Sequence, residues 1–464
     1  MTIWMPDLSS LSGPRYLAIA DALDADLAAG QLSAGDRLPT HRDLAYRLGL
    51  TVGTVSRAYA EAHRRGLIAG EVGRGTYIQG GGENSDQHYD LSVHEYPPDL
   101  FDFALNLPAK GPATQALADT LGELSRSNSL PALLDYQPGA GMRHHRAAGA
   151  QWLDMNGIET TPDHVVVTNG AQHGMMVSFA AATRPGDTVL TEQVTYPGIK
   201  EVAGPLNLQL VGIDMDKFGL RPDAFEEACK AHRPKVLYCI PTLQNPTSRI
   251  MPEDRRRDIA AIAQRHGVTI IEDDVYGLLL EDRPPPLAAI APDITIYITS
   301  LSKSIAPGLR VGYLCAPDHM IDHIGAAMRG DCRMATPLMA EIATRWIETG
   351  KAKSMSDWQC KEVVRRQAVA AEALAGTDYE SDPSSYHLWL TLPEPWRAEE
   401  FVSQLQARKV VVLPAESFVI GRGHPPHAVR ICIGSAHNPE HLRGGLTIIA
   451  ETLKNPSRPS QTIV

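Results

Sequence analysis

Between positions 14 and 30 the apolar residues Tyr16, Leu17, Ile19, Ala20, Leu23 and Leu27 recur at three- and four-residue steps, and Gly30 ends the run. That spacing predicts an amphipathic helix. Further on, Thr40 precedes a short periodic stretch that reaches Leu48 and is broken by Gly49. Thr51 precedes a second stretch that runs to about Arg65 and stops at Gly66. Threonine hydroxyls cap helix N-termini and glycine takes the left-handed conformation that closes a helix, so the pattern predicts two helices joined by a tight turn. Short β-prone runs at 67–69 and 76–78, set around Gly70, Gly73 and Gly75, then predict a hairpin.

Residues 79–88, QGGGENSDQH, are glycine-rich and polar, which marks a linker over 80–98 after a first domain at 1–79. Beyond it the grammar changes. Strand-like runs at 165–168, 188–191, 208–213, 236–240, 269–272, 294–300 and 312–315 alternate with helix-patterned stretches such as 171–182 and 253–266. Alternation of this kind predicts a largely parallel sheet covered by helices. The second domain is expected to span 99–464, with a large part at about 99–330 and a small part at about 331–464.

Composition changes this picture little. A chain of 464 residues exceeds one hydrophobic core, and 43% hydrophobic with 21% charged residues is ordinary for a folded protein. The N-terminus has no basic run before an apolar stretch, and no run of about eighteen apolar residues occurs, so neither a signal peptide nor a membrane span is expected and the location is read as cytoplasmic. The six cysteines are scattered without C-x-x-C pairs or histidines at zinc spacing, which predicts reduced thiols and no metal site. Charge matters more. The net charge of −11 opposes a polyanion partner for the chain as a whole, yet residues 37–78 hold seven arginines against three acids, and that stretch suits phosphates.

Within that stretch, Gly35-x-Arg37-Leu38-Pro39, Arg42-Asp43-Leu44-Ala45, Gly49-x-Thr51, Thr54-Val55, Ala58-Tyr59 and Gly73-Arg74-Gly75-Thr76 resemble the GntR-type winged helix-turn-helix. Leu44, Ala45, Leu48, Val55 and Tyr59 would seal a three-helix core. Arg42, Thr51, Thr54 and Arg57 would turn outward, with Gly73 and Arg74 in the wing, to meet double-stranded operator DNA in the major groove. Where the family often has a basic residue after the Gly-x-Thr turn, this chain has Val52.

From about residue 100 onward the chain resembles fold-type I pyridoxal 5′-phosphate (PLP) proteins of the class I/II aminotransferase group. The carrying residues are Ser300-Leu301-Ser302-Lys303 with Pro307-Gly308-Leu309-Arg310, and Ile270-Ile271-Glu272-Asp273-Asp274-Val275-Tyr276 upstream. PLP chemistry needs a lysine for the Schiff base and a cation with hydroxyls for the phosphate. The resemblance assigns those roles to Lys303, Arg310, Ser300 and Ser302. It assigns Asp273 to the pyridinium nitrogen, Tyr276 and Asn245 to the ring 3′-oxygen, and Tyr196 to stacking on the ring. Ala171 and Gln172 would bind phosphate where a strand runs through Gly170 into a helix. Tyr136 would reach the phosphate of a neighbouring subunit, and Arg430, inside the apolar run Val429–Cys432, would take the carboxylate of an amino acid. Glu272 and Asp274 read instead as structural acids.

A winged helix linked to such a domain resembles the MocR subgroup of GntR-type regulators. The resemblance implies a multidomain chain: an all-α, winged helix-turn-helix N-terminal domain plus an α/β fold-type I PLP-dependent aminotransferase-like domain. It also implies a head-to-tail homodimer whose DNA binding responds to PLP and to an amino acid or amine effector. Two alternatives remain: an aminotransferase with an accessory DNA-binding domain, and a constitutive DNA-binding protein with a vestigial domain.

Overall fold

The computed structural model describes residues 4–6, 14–29, 31–32, 36–64, 67–71, 75–78, 100–421 and 425–455. The chain divides into two compact units, Met1–Tyr96 and Pro97–Val464.

In the first unit α1 (Arg15–Ala28), α2 (His41–Leu48) and α3 (Val52–Arg64) enclose a small core. Leu44, Val55, Ala58 and Tyr59 lie at its centre with Ile19 and Leu23, and Leu48 packs against them. The Tyr59 hydroxyl satisfies the Pro39 carbonyl at 2.8 Å, which ties α3 to the start of α2. Thr40 accepts from the Asp43 amide at 3.2 Å and Gly49 closes α2 at φ 64°. Both are the roles expected of them. Strands β1 (Ile68–Glu71) and β2 (Gly75–Ile78) form the antiparallel hairpin. The expected wing residues Gly73 and Arg74, and the expected linker at 80–98, lie outside the described residues.

In the second unit seven strands form one sheet: β3 (Val165–Thr168), β4 (Thr188–Glu192), β5 (Gln209–Ile213), β6 (Val236–Cys239), β7 (Thr269–Asp273), β8 (Thr295–Ser300) and β9 (Gly312–Cys315). Their spatial order is β3-β9-β8-β7-β6-β4-β5. Neighbours are parallel except β9, which runs against both β8 and β3. Residues of β3, β6 and β8 are buried throughout, as strands covered on both faces must be. The carboxyl ends of β3, β4, β6, β7 and β8 therefore share one edge, where open α/β sheets collect ligands.

A four-stranded antiparallel sheet of Tyr379–Glu380, His387–Thr391, Ala428–Cys432 and Leu413–Pro414 builds the second layer. Its core includes Phe401, Leu405, Leu446 and Ile449 from two of its helices. The hydrophobic clusters do not follow chain order across residue 330. Phe101–Asp102, near the start of the unit, pairs with Val410–Val411, and Phe103 sits in the core of the small layer. Conversely Ala340, Ala343 and Trp346 pack with Trp152 and Tyr313 under the large sheet. Chain position misplaces both segments, because apolar faces follow partners in space.

Candidate functional site

The turn after β8 carries Lys303, where Ser300 Oγ accepts from the Ser302 amide at 3.3 Å. A short turn, Pro307–Leu309, then delivers Arg310 in the left-handed conformation at φ 51°. Its Nη2 donates to the Asn169 carbonyl at 3.2 Å, across the N-terminus of α4 (Ala171–Ala182). Gly170 caps that helix at φ 85°, and a Cβ there would lie 2.8 Å from Arg310 Nη2. Only glycine fits. The unpaired first-turn amides of α4, the helix dipole and the guanidinium thus converge where Ala171 begins the helix. Gln172 Nε2 donates to the Gly198 carbonyl at 3.1 Å, which ties this turn to the Tyr196 loop. His173 accepts from the Asn169 amide at Nδ1, 2.9 Å, so its proton sits on Nε2, facing Asp331 at 3.1 Å.

At the end of β7 the three consecutive acids separate by environment. Glu272 accepts from the Leu287 and Ala288 amides at 2.9 and 2.8 Å. Asp274 binds Arg283 at 3.0 Å and the Tyr297 hydroxyl at 2.7 Å. Both are structural, as the sequence suggested. Asp273 differs: Oδ2 accepts from the Tyr238 hydroxyl at 2.8 Å, while the buried Oδ1 makes no hydrogen bond of ordinary geometry. Burial pushes its carboxyl up to about 6, and Tyr238 pulls it down.

Burial lowers Lys303 to about 8. Cys432 and Asp273 raise it, and Arg430 and Arg310 lower it further. Its Nζ donates to the Asn106 carbonyl. Arg430, buried on strand Ala428–Cys432, donates from Nη1 to Asn245 Oδ1 at 2.9 Å and from Nη2 to the Ala104 carbonyl, with its Nε unsatisfied and Phe418 under the guanidinium at 4.8 Å. Tyr276 is buried and its Oη accepts from Asn106 Nδ2 at 2.8 Å. The Tyr196 phenol is pushed to about 12 by burial and then by Asp273. At the sheet edge Lys303 feels Asp273, Arg310 and, from the small layer, Arg430 electrostatically, Tyr196 and Tyr276 feel Arg430 as well, and Asn245 is bonded to Arg430, so these residues gather around Lys303, with Ser300 and Ser302 on its own turn, where the sheet edge meets the small layer.

Tyr136 stands apart, 79% exposed with the Arg333 guanidinium 4.7 Å above its ring. In the first unit Arg42 and Thr51 are exposed. The Thr51 hydroxyl also accepts from the Thr54 amide at 3.2 Å and shares a 2.9 Å bond with the Thr54 hydroxyl. Arg57 points outward but lies 4.3 Å over the Tyr16 ring. Asn106, Tyr238, His387 and Cys432 escaped sequence reasoning. Tyr238 and Cys432 read as core of their strands, and Asn106 meets its partners only in the fold.

Residues 98–449 match the family described as aminotransferase class I and II, and residues 15–78 match bacterial regulatory proteins of the gntR family. The uncharacterized HTH-type transcriptional regulator YdeF of Bacillus subtilis is 31% identical over 97% of this chain and 96% of its own length. The pyridoxine biosynthesis transcriptional regulator PdxR of Corynebacterium glutamicum is 30% identical over 63% of each chain. The kynurenine aminotransferase structure from Pyrococcus horikoshii superposes with a TM-score of 0.72 at 23% identity, covering 78% of this chain and 93% of that one, a likeness of fold. The chain belongs to the aminotransferase class I and II family and, by the joining of that domain to a gntR-type first unit, to the MocR subgroup of gntR-type transcription regulators.

Proposed function

We propose that this regulator holds PLP in the cleft at Lys303 and uses it to sense an amino acid or related amine, with the signal read out as a change in operator binding. The observation that carries the reading is the buried Oδ1 of Asp273 at the end of β7, which has no hydrogen bond of ordinary geometry and lies close enough to Lys303 for their charges to interact. An unpartnered carboxylate oxygen out of water is costly, and a pyridinium N–H would satisfy it. The glycine at 170 supports the phosphate end, because it leaves the approach to the amides of α4 open beside Arg310.

When bound, PLP supplies an aldehyde that captures primary amines and a ring that accepts electrons. The residues do the rest. Lys303, with an ammonium easier to deprotonate than usual, offers the amine. Asp273 would hold a proton on the ring nitrogen, and Tyr276 with Asn245 would hold the 3′-oxygen. Tyr196 would face the ring, and Ala171, Gln172, Ser300, Ser302 and Arg310 would hold the phosphate. Arg430 would bind an effector carboxylate through donors left over after Asn245 and Ala104. Exposed Tyr136 suits a role on a second copy in a head-to-tail homodimer. Arg42, Thr51, Thr54 and Arg57 would meet the operator, with Gly73 and Arg74 in the wing, a role that fits a protein in the cytoplasm with the DNA. No helix among the described residues is long and apolar enough to cross a membrane.

A second reading, transamination with an accessory DNA-binding unit, is favoured by the joint presence of Lys303, Asp273 and Arg430 in one cleft. Borohydride reduction and peptide mapping should label Lys303, and a label on another residue overturns the cofactor assignment. Turnover of amino acids to keto acids by the loaded protein, with no effect of those amino acids on DNA binding, would favour the second reading.

A further inference from the structure

Asn106 enters the cleft from strand Phe101–Asp102, and its amide nitrogen meets two acceptors, Tyr276 Oη at 2.8 Å and His387 Nδ1 at 3.3 Å. On the other side of the imidazole, His387 Nε2 lies 3.0 Å from the Gln244 carbonyl oxygen. A carbonyl only accepts, so Nε2 carries a proton. Complete burial, with Arg430 nearby, pushes His387 down to about 3, so the ring is neutral and has only that proton. Nδ1 is then a lone pair that needs a donor. This fixes which way the Asn106 amide faces: its NH2 points at His387 and Tyr276. The Tyr276 oxygen accepts one of those hydrogens, so its own proton is turned away from Asn106 and free to be donated elsewhere.

We infer that Asn106, oriented by His387, is a positioning residue that aims the Tyr276 hydroxyl proton into the cleft. The inference rests on the PLP reading above, in which that proton is donated to the ring 3′-oxygen. Through its carbonyl the same residue also accepts from Lys303 Nζ, so one asparagine touches both proton-bearing groups that face the cofactor. The chain of bonds runs from the Gln244 carbonyl through the imidazole and the amide to the phenol, and each link has only one donor assignment. The other charged or titratable groups around Lys303 are Cys432, Arg430, Asp273 and Arg310, none of which the substitutions below alter.

The test is a pH titration of the cofactor absorption band in the full-length, PLP-loaded protein. A donor on the ring oxygen draws electron density from the neighbouring nitrogen, so losing it moves the midpoint upward. Asn106→Ala and the near-isosteric Asn106→Leu should each raise the midpoint by about 0.5–1 pH unit, the worth of one hydrogen bond. Neither should add a further shift in a Tyr276→Phe background, since the amide acts through that hydroxyl. Thermal melting checks folding, and the leucine variant preserves volume if alanine loosens the site. An unmoved or lowered midpoint in both single variants, or shifts that add to that of Tyr276→Phe, overturns the inference. A purified protein with no cofactor band at all overturns the PLP reading beneath it, so the two failures are distinct.

Discussion

Tyr238 donates a 2.8 Å hydrogen bond to Oδ2 of Asp273, and the other oxygen of the same carboxyl, also buried, has no hydrogen bond of ordinary geometry. The pair links sheet chemistry to site chemistry, because both side chains come from adjacent parallel strands, β6 and β7. One oxygen is fixed by the fold and the other is available to a ligand.

Asp273 should therefore trade stability for binding. Burial raises its folded-state carboxyl to about 6, above the ordinary ~3.9 of an unfolded chain. The folded state then holds this proton more tightly than the unfolded one. As a result the group subtracts stability progressively as pH climbs from about 4 to about 6, and the loss stays constant above that. Asp273→Asn should make the cofactor-free protein more stable than wild type at about pH 8, by up to ~3 kcal/mol, with the gap closing near pH 4. The same variant should retain PLP poorly. Melting curves across pH, with cofactor content measured beside them, check both halves. A variant less stable at pH 8 than at pH 4 relative to wild type would contradict the linkage.

Arg430 should discriminate by carboxylate. Removing one partner of a buried charge pair costs about 2–5 kcal/mol. Arg430→Ala should weaken an effector amino acid at least ~30-fold, and should leave the decarboxylated amine of the same side chain within a few-fold of its wild-type affinity. Arg430→Lys should recover only part of the loss, since an ammonium cannot repeat the planar fork that Asn245 and the Ala104 carbonyl now orient. Titration of the cofactor spectrum with both ligands decides the matter. Equal losses for acid and amine would mean that Arg430 holds the site together rather than reading the ligand.

The seven strands of the large sheet were legible because each is a largely apolar run bounded by turn residues, and a strand buried on both faces, such as Val165–Thr168, has no other pattern to show. Direction was not legible. Nothing in Gly312–Cys315 marks it as antiparallel to both its neighbours. Residues could be singled out where chemistry demands a type, as with Lys303, Asp273 and Arg430, and not where a contact depends on who stands opposite. Asn106 finds Tyr276 170 positions away and His387 281 positions away, and before folding it is an ordinary loop asparagine. Arg57 was readable as exposed, while its seat over Tyr16 was not. Layer membership was unreadable for the same reason, since Phe101–Asp102 is joined to Val410–Val411 by strand pairing alone.

On the DNA side, Arg42 and Thr51 should behave differently although both are exposed. Arg42 makes no packing contact that a truncation would damage among those described, so Arg42→Ala should leave melting unchanged and weaken operator binding by ~1–3 kcal/mol where it reads a base. Thr51 accepts from the Thr54 amide and so caps α3. Thr51→Ala should destabilise the first unit by ~1 kcal/mol, whatever it does to affinity. Affinity at matched salt and melting of each variant separate the two. An unchanged affinity in Arg42→Ala removes that residue from the interface.

The final prediction concerns how the cleft speaks to the DNA-binding unit. Arg430 sits on the small layer and Lys303 on the large sheet, so a ligand that engages both holds the layers together. One segment is bonded to both. The Phe103 amide is bonded to the Val411 carbonyl in the small layer at 2.8 Å, and three residues on, the Asn106 carbonyl takes the Lys303 ammonium of the large one. That segment is also where the second unit begins, so any shift of the layers acts on the part of the chain that leads back to the winged helix. A ligand moves such an equilibrium only by the difference in its affinity for the two states. Coupling energies of ~1–3 kcal/mol are typical, so effector should change operator affinity ~5–150-fold in the wild type. Lys303→Ala removes one of the two anchors and leaves the first unit untouched. It should bind the operator as wild type does without effector, and respond less than about 2-fold when effector is added. DNA-binding titrations of both proteins, with and without effector, measure the four affinities. A response as large in Lys303→Ala as in wild type would show that the lysine is not the switch.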